Sequence, residues 1–249
     1  MDDVDSVQAQ IARNMLDSGD WVTARLDGIK YLEKSPLIYW MIAVSYEIFG
    51  VHDWAARIPV ALSAVGLCWL TFCIGTWAFS LRAGLYAGLS IATCIGLWLF
   101  TRIQIPDVTV TATIGLAMWA FLRALDSEER RPGLWSAVMA AAMGLGLILK
   151  GLIAMVFPVA AALLFLGFTG EWRRRETWKR LHIWSGLAIL LAVVLGTHLA
   201  IGASAVMAAW IAILGNGRLD VVAFAFASAM MAAPAIMPVA TGLVNRDFI

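Results

Sequence analysis

Charged residues are scarce in this chain. Only 14% of its 249 residues are Asp, Glu, Lys or Arg, and its formal net charge is +1. A soluble domain is about one quarter charged, and a protein that binds nucleic acid needs a concentrated basic surface. The low charge therefore argues against an ordinary soluble domain and against nucleic acid as a partner.

Cysteine and histidine are also few, and neither is arranged as a site. Cys68, Cys73 and Cys94 lie inside apolar runs without metal-ligand spacing, and the three histidines are scattered. The sequence has no glycine-rich loop of the P-loop type and no Gly-x-Ser-x-Gly motif. These absences argue against a cysteine–histidine metal cluster, a P-loop phosphate site and a serine nucleophile of the hydrolase type.

Apolar residues, by contrast, make up 61% of the chain, and the mean hydropathy is +0.82. This composition indicates an integral membrane protein. A helix needs about 20 apolar residues to cross the hydrocarbon. We predict spans near 57–79, 83–101, 108–125, 133–149, 151–169, 183–203 and 219–243, with a shorter apolar stretch at 205–214. The predicted fold is all-α, a polytopic bundle of membrane helices.

The first fifty residues follow a different pattern. Apolar residues recur at helical spacing from Val4 to Met15, which predicts an amphipathic helix over 4–16 lying on the membrane surface. A loop over 21–34 and an aromatic-rich interfacial helix over 36–50 follow. We expect three segments: a loop region with two interfacial helices (1–50), a transmembrane core (51–203) and a divergent C-terminal membrane segment (204–249).

Lys and Arg are divided unequally between two sets of loops. One set holds Arg82, Arg123, Arg130, Arg131, Arg173, Arg174, Arg175, Lys179 and Arg180. The opposite set holds only Arg102 and Lys150 near its turns. Because cytoplasmic loops are enriched in Lys and Arg, the first set is predicted to be cytoplasmic. Glu33, Lys34, Asp107 and Lys150 then share the outer face with the N-terminal helix.

Four groups of polar residues stand out on that face. They are the cluster Asp2, Asp3 and Asp5, the pair Glu33–Lys34, Arg102 with Asp107, and Lys150. A carboxylate can take a proton from an acceptor hydroxyl. Lys, Arg or a metal held by carboxylates can stabilise a departing phosphate. Each group also has a structural explanation, since Asp caps helices and Lys extends toward headgroups. Together they suit group transfer from an anionic lipid carrier.

Several segments carry a resemblance to a known family. They are Asp2–Asp5, Ile11–Thr23, Tyr31–Trp40, Phe49–Gly50, Trp54–Pro59, Pro106–Asp107 and Leu149–Gly151. This pattern resembles the GT-C glycosyltransferases related to the aminoarabinose lipid A transferase and the dolichyl-phosphate-mannose protein mannosyltransferases. The likeness covers about residues 2–170, and its specific part is the string over 2–60.

The resemblance implies an activity and a location. Such enzymes move a sugar from a polyprenyl-phosphate donor to a lipid or protein acceptor at the outer face of the membrane. For a bacterial chain this implies a multi-pass inner-membrane protein whose active face is periplasmic or extracellular. The resemblance also implies Asp107 and either Asp3 or Asp5 as the catalytic carboxylates.

Further site residues follow from the same resemblance. Glu33 is implied as a ligand of a divalent metal, and Lys34 as a contact to the donor phosphate. Three more cations are implied as candidate phosphate contacts: Arg57, Arg102 and Lys150. Membrane lipids are the remaining expected partners.

The chain departs from the family pattern at both ends. No basic stub and first membrane helix precede Met1, and no family motif is recognisable beyond about residue 190. We therefore expect an incomplete, truncated form of such an enzyme, with little or no activity by itself.

The alternative function is a non-enzymatic membrane protein that transports or binds lipid-linked sugars. A transporter would carry ionisable groups near the middle of the membrane. Here the ionisable groups lie at the ends of the predicted spans, which favours chemistry at the interface.

Overall fold

The structure is a computed structural model that describes residues 3–21, 23–31 and 35–197. Its elements are α1 (Asp3–Ser18), β1 (Arg25–Leu26), β2 (Ile29–Lys30), α2 (Leu37–Phe49), α3 (Asp53–Ala78), α4 (Leu81–Ala92), α5 (Ile95–Arg102), α6 (Asp107–Leu125), α7 (Pro132–Lys150), α8 (Ile153–Thr169), a 3₁₀ turn (Glu171–Arg173) and α9 (Arg175–Arg180). Helical backbone continues over residues 183–197. The predicted helical membrane bundle is confirmed, with one short antiparallel hairpin of β1 and β2 in the loop before α2.

The chain divides into two units, residues 1–194 and residues 195–249. Almost all of the second unit lies outside the described residues. The apolar stretch predicted at 205–214 and the span predicted at 219–243 therefore lie outside them as well.

Within the described residues, four helices are long and apolar enough to cross a membrane. They are Asp53–Ala78, Asp107–Leu125, Pro132–Lys150 and Arg175–Thr197. The helices α4 and α5 add a fifth crossing if they are taken as one bent span. α8, predicted over 151–169, begins at Ile153 and has 17 residues, so it is shorter than these spans.

The span predicted near 83–101 is divided into two helices. α4 ends at Ala92, α5 begins at Ile95, and the two helices are bent by 48°. At the break, Cys94 has extended backbone angles (φ −69°, ψ 128°), and the Thr93 hydroxyl donates to the Leu89 carbonyl at 2.9 Å. Hydropathy alone did not reveal the break, because the apolar run continues through it.

The N-terminal helix packs against protein. Ile11 and Met15 of α1 are buried in one core with Ile38 and Ile42 of α2, and this core extends to Val108 at the start of α6. Burying such a side chain contributes about 1.5–3 kcal/mol. The helix predicted over 4–16 is therefore present, but its apolar face is covered by α2 and is not available to lipid. This core ties the first fifty residues to the starts of α3 and α6.

The hairpin of α3 and α4 is held at a close distance by glycine. A Cβ added at Gly75 would lie 2.9 Å from the Gly84 Cα. A Cβ at Gly84 would collide with the Thr76 hydroxyl and lie 2.6 Å from the Phe72 carbonyl oxygen. Larger residues at these two positions would force the helices apart.

Two glycines with positive φ end the helices α2 and α7. Gly50 (φ 82°) follows α2 and donates its N–H to the Tyr46 carbonyl at 2.8 Å. Gly151 (φ 73°) follows α7 and donates to the Leu147 carbonyl at 2.8 Å. Glycine adopts this conformation without a steric penalty. Lys150 is consequently the last helical residue of α7.

Candidate functional site

The helices have two ends with different chemistry. Arg57, near the start of α3, bonds to the Arg102 carbonyl at the end of α5. Trp77, near the end of α3, lies 5.6 Å below the guanidinium of Arg123, near the end of α6. The starts of α3 and α6 thus share one end of the bundle, which we call the Asp107 end. The opposite end is called the Arg123 end.

An ion pair joins two helices at the Asp107 end. The Lys150 ammonium, on the last residue of α7, donates to the Asp107 carboxylate on the first residue of α6. The Asp107 side chain is 29% exposed and the Lys150 side chain 41%. The residue before α6 is Pro106, and no side chain caps the helix there. The Asp107 carboxylate is therefore engaged with Lys150 and does not serve as a helix cap.

Asp107 also lines an apolar cavity of about 440 Å³. The walls come from α3, α4, α5 and α6, through Leu67, Ile91, Cys94, Gly96, Leu97, Phe100, Asp107, Val108 and Thr111. No residue of α5 is buried, so the part of the cavity wall that α5 supplies lies at the outside of the bundle. Since α6 begins at Asp107 and Thr111 lies one turn further, the carboxylate marks the charged end of an otherwise apolar space.

The carboxylate of Asp5 has a different environment. Its side chain is only 2% exposed, and it does not line the apolar cavity. Oδ2 accepts from Arg57 Nη2 at 2.7 Å, and Oδ1 accepts from the Gln104 backbone N–H at 2.7 Å. The second guanidinium nitrogen, Arg57 Nη1, donates to the Arg102 carbonyl at 2.8 Å. Arg57 was predicted to contact the donor phosphate. In the structure its partners are the Asp5 carboxylate and the Arg102 carbonyl.

The other predicted site residues are only partly described. The Arg102 guanidinium lies 4.3 Å from the centre of the Trp98 ring, as in a cation–π contact. Asp3 is the first residue of α1, and its side chain lies outside the description. Glu33 and Lys34 also lie outside the described residues.

A divalent metal site would need several ligands close together. In the described part of the chain, no group of three or more His, Cys, Asp or Glu side chains could hold a metal ion. The two predicted catalytic carboxylates that are described, Asp5 and Asp107, each have a cationic partner in Arg57 and Lys150. The predicted ligand Glu33 lies outside the described residues, and the divalent metal stays a prediction.

Two buried glutamines were not predicted. Gln8 and Gln104 are each 1% exposed, and their side-chain amides make no hydrogen bond within the described residues. Gln8 lies three residues after Asp5 on α1, where the sequence pattern placed it on the polar side. For Gln104 a signal existed, because it lies between Ile103 and Ile105 in an apolar stretch. A polar residue flanked in this way is a candidate for burial.

The Arg123 end carries its own ion pair. The Arg123 guanidinium donates to the Glu129 carboxylate and lies 4.8 Å from the centre of the Trp135 ring. The Arg131 N–H also donates to Glu129, at 3.1 Å. This N–H, followed by the Arg123 guanidinium, holds the pKa of Glu129 below its ordinary value. Arg180 donates to three backbone carbonyls at the end of α6 and in the loop that follows it.

The sequence matches known proteins over most of its length. The family described as dolichyl-phosphate-mannose-protein mannosyltransferase matches residues 33–201. Undecaprenyl phosphate-alpha-4-amino-4-deoxy-L-arabinose arabinosyl transferase 1 of Pseudomonas fluorescens is 34% identical over 174 residues, which cover 67% of this chain and 29% of that protein. The corresponding transferase 2 of Sodalis glossinidius is 29% identical over 189 residues, which cover 73% of this chain and 32% of that protein.

Solved structures agree with the sequence matches. Crystal structures of ArnT from Cupriavidus metallidurans, in the apo state and bound to undecaprenyl phosphate, give TM-scores of 0.73 and 0.74 at 27% identity. They cover 80% and 81% of this chain, and 37% of each ArnT chain. The chain spans about a third of the length of the curated relatives it matches. It belongs to the dolichyl-phosphate-mannose-protein mannosyltransferase family of membrane glycosyltransferases.

Proposed function

We propose that this chain takes part in transferring a sugar from a polyprenyl-phosphate donor to a hydroxyl group of a lipid or protein acceptor. The observation that carries the proposal is the position of Asp107. This carboxylate lines the apolar cavity and is at the same time paired with the Lys150 ammonium. An apolar space with one anion and one cation at its end matches a donor made of a prenyl tail, a phosphate and a sugar.

The cavity accounts for the tail. A volume of about 440 Å³ is too small for a whole polyprenyl chain but holds the segment next to the phosphate. With the tail against Leu97 and Phe100, the phosphate would lie near Asp107 and Lys150. The crystal structure of ArnT bound to undecaprenyl phosphate supports a lipid of this class.

The two charged groups account for the chemistry. Asp107 would accept the proton of the acceptor hydroxyl while its oxygen attacks the anomeric carbon of the sugar. The bond between that carbon and the phosphate oxygen breaks, and the electron pair leaves with the polyprenyl phosphate. Lys150 would stabilise the charge on the leaving phosphate. The proton ends on Asp107, and the sugar ends on the acceptor oxygen.

The ion pair also explains how Asp107 becomes available. In the free protein its carboxylate is neutralised by Lys150. A phosphate attracts the same ammonium with at least equal charge, so donor binding would draw Lys150 away from Asp107. The carboxylate would then be free to take a proton once the donor is in place.

The positions of charged residues support this reading over a transporter. From α3 to α8, every Asp, Glu, Lys and Arg lies within about five residues of a helix end, as with Arg57 and Arg123. A transporter would place ionisable groups near the middle of its spans. The described helices place theirs where an interfacial reaction needs them.

The Asp107 end would face the periplasm of a bacterial inner membrane, and the Arg123 end the cytoplasm, because the loops at the Arg123 end hold most of the Lys and Arg. Cysteine labelling of intact cells with an impermeant maleimide tests this. A Lys34→Cys variant should be labelled and an Arg174→Cys variant should not. The reverse pattern would contradict both the orientation and an outer-face site.

The Asp107→Asn substitution tests the chemistry. We expect it to abolish sugar transfer by the full-length protein in membranes, while expression and insertion stay normal. Asn keeps the size and the hydrogen-bonding capacity of Asp but cannot accept a proton at neutral pH. Transfer is measured with a radiolabelled polyprenyl-phosphate sugar, and protein level is measured in parallel.

The matched control is Asp53→Asn. Asp53 begins α3 as Asp107 begins α6, lies at the same end of the bundle and is outside the proposed chemistry. This variant should transfer sugar at a near-normal rate. Near-normal transfer by Asp107→Asn would reduce Asp107 to a structural residue and would contradict the proposed function.

A further inference from the structure

The two described carboxylates at the Asp107 end differ in what they can do. Asp107 is 29% exposed and borders the apolar cavity, whereas the Asp5 side chain is 2% exposed and does not line that cavity. Both oxygens of Asp5 already accept a hydrogen bond at 2.7 Å. A carboxylate enclosed in this way cannot reach the hydroxyl of an acceptor.

What Asp5 holds is the connection between α5 and α6. It bonds the Gln104 N–H directly, and through Arg57 it bonds the Arg102 carbonyl. Asp5 is thereby joined to Gln104, which lies 99 positions further along the chain, and to Arg57, which lies 52 positions further. The connection is therefore hydrogen-bonded at two backbone atoms, the Arg102 carbonyl oxygen and the Gln104 nitrogen, which lie five and three residues before Asp107.

We infer that Asp5 and Arg57 are positioning residues, which fix the 102–104 segment and thereby place Asp107 at the end of the cavity. This inference rests on the proposed function of Asp107. It assigns to Asp5 a role different from the catalytic one implied by family resemblance. It also assigns to Arg57 a partner inside the protein in place of the donor phosphate.

Asp5 and Arg57 would act by keeping the 102–104 segment rigid. Charge-assisted hydrogen bonds to a buried carboxylate are stronger and shorter than neutral ones. Arg102 ends a helix with no buried residue, and the side-chain hydrogen bonds described for the backbone of this segment come from Asp5 and Arg57. A shift of about 1 Å in a reacting group can lower a rate by about 100-fold. A loose 102–104 segment would therefore slow transfer without any contact between Asp5 and the substrate.

The test combines kinetics with hydrogen exchange in the Asp5→Asn variant. We expect kcat to fall by about 10- to 100-fold at every pH, while the shape of the pH–rate profile stays as in the wild type. The shape should stay because the proposed base, Asp107, is unchanged in the variant. Amide exchange over residues 103–108 should become faster. The matched control is Asp17→Asn, on the same helix in an exposed pair with Arg13, which should change neither quantity.

A second variant covers the case in which Asp5→Asn does not fold. Arg57→Lys keeps the positive charge beside Asp5, but it replaces the planar guanidinium, whose two nitrogens bond the Asp5 carboxylate and the Arg102 carbonyl, with a single nitrogen. It should show the same pattern, with lower kcat, an unchanged pH profile and faster exchange over 103–108.

Two results would overturn the inference. One is an Asp5→Asn variant whose pH–rate profile loses a titrating limb while exchange over 103–108 is unchanged, since Asp5 would then be the base. The other is normal exchange over 103–108 in both variants. Exchange is measured without substrate, so it tests the inference even if the wild-type protein transfers no sugar. Failure of the proposed function would show in the wild-type assay alone.

Discussion

Each end of α6 carries an ion pair, but the two pairs are built differently. At the Arg123 end, Glu129 is held by a side chain and a backbone N–H, and its side chain is only 11% exposed. At the Asp107 end, the Lys150 ammonium and the Asp107 carboxylate are more exposed, and the carboxylate faces a cavity. A carboxylate that is largely buried and bonded at both oxygens within the protein contributes to stability and is not open to a ligand. A pair bordered by open space can exchange one partner for a ligand.

The same contrast recurs within the Asp107 end. The Asp5 carboxylate, 2% exposed and bonded at both oxygens, resembles Glu129 at the Arg123 end more than it resembles Asp107. Acidic residues close in space can therefore have opposite roles. The exposure of the carboxylate and the number of its bonds within the protein distinguish a structural role from a catalytic one. The charge of the residue and its position at the interface do not.

The largest effect that tests this contrast is expected from Lys150→Gln. This substitution should lower kcat/KM for the donor by about 10²- to 10³-fold, as for loss of a group that stabilises charge in the transition state. Initial rates at varied donor concentration measure it. The matched variant Lys179→Gln, an exposed Lys at the Arg123 end, should behave as wild type. Equal losses in both variants would remove the difference between the two ends.

An intermediate effect is expected from Glu129→Gln at the Arg123 end. The substitution leaves the Arg123 guanidinium without its carboxylate, so the thermal midpoint in detergent should fall by several degrees. Sugar transfer per folded molecule should stay normal. A large loss of kcat with an unchanged midpoint would mean that the Arg123 end is not purely structural.

The stabilisation from Glu129 should depend on pH in a defined direction. Its pKa in the folded protein is below the ordinary value of 4.5, so its contribution is full above that pH and is lost as the pH falls below it. The difference in thermal midpoint between wild type and Glu129→Gln should therefore shrink below about pH 4.5. A difference that grows with acidity would contradict the ion pair as its source.

The smallest effect is expected from Gln8→Leu. A buried amide without a partner costs about 1–3 kcal/mol, and Gln8 is 1% exposed with no hydrogen bond in the described structure. Replacing it with Leu should raise the free energy of unfolding by about 1 kcal/mol or leave it unchanged. Gln10→Leu, at an exposed position on the same helix, is the control. Strong destabilisation by Gln8→Leu alone would show that the amide has a partner.

Much of the fold could be predicted from the sequence because it depends on local pattern. Apolar length predicted α3, α6 and α7, and the distribution of Lys and Arg placed Asp107 and Lys150 at one end of the bundle. The break before α5 could not be predicted, since Thr93 and Cys94 do not interrupt the apolar run. Helix periodicity also could not show that α2 covers the apolar face of α1.

The site was predicted less well, because its contacts are long-range. The sequence brought Asp107 and Lys150 to the same face but did not pair them across 43 positions. Asp5 looked equivalent to Asp107, since both are acidic residues near a helix start. Only the packing of α1 against the 102–104 segment shows that one carboxylate is enclosed and the other is open.

The bent pair of α4 and α5 has a consequence for how a carrier lipid would travel. α4 is fixed against α3 by its glycines, while α5 presents no buried residue and forms the outer wall of the cavity. A lipid could therefore enter sideways from the bilayer, past α5, without its tail leaving hydrocarbon. Each CH₂ group that passed through water would cost about 0.8 kcal/mol. A lateral route avoids that barrier and brings only the phosphate and the sugar to the aqueous boundary, where Asp107 and Lys150 lie.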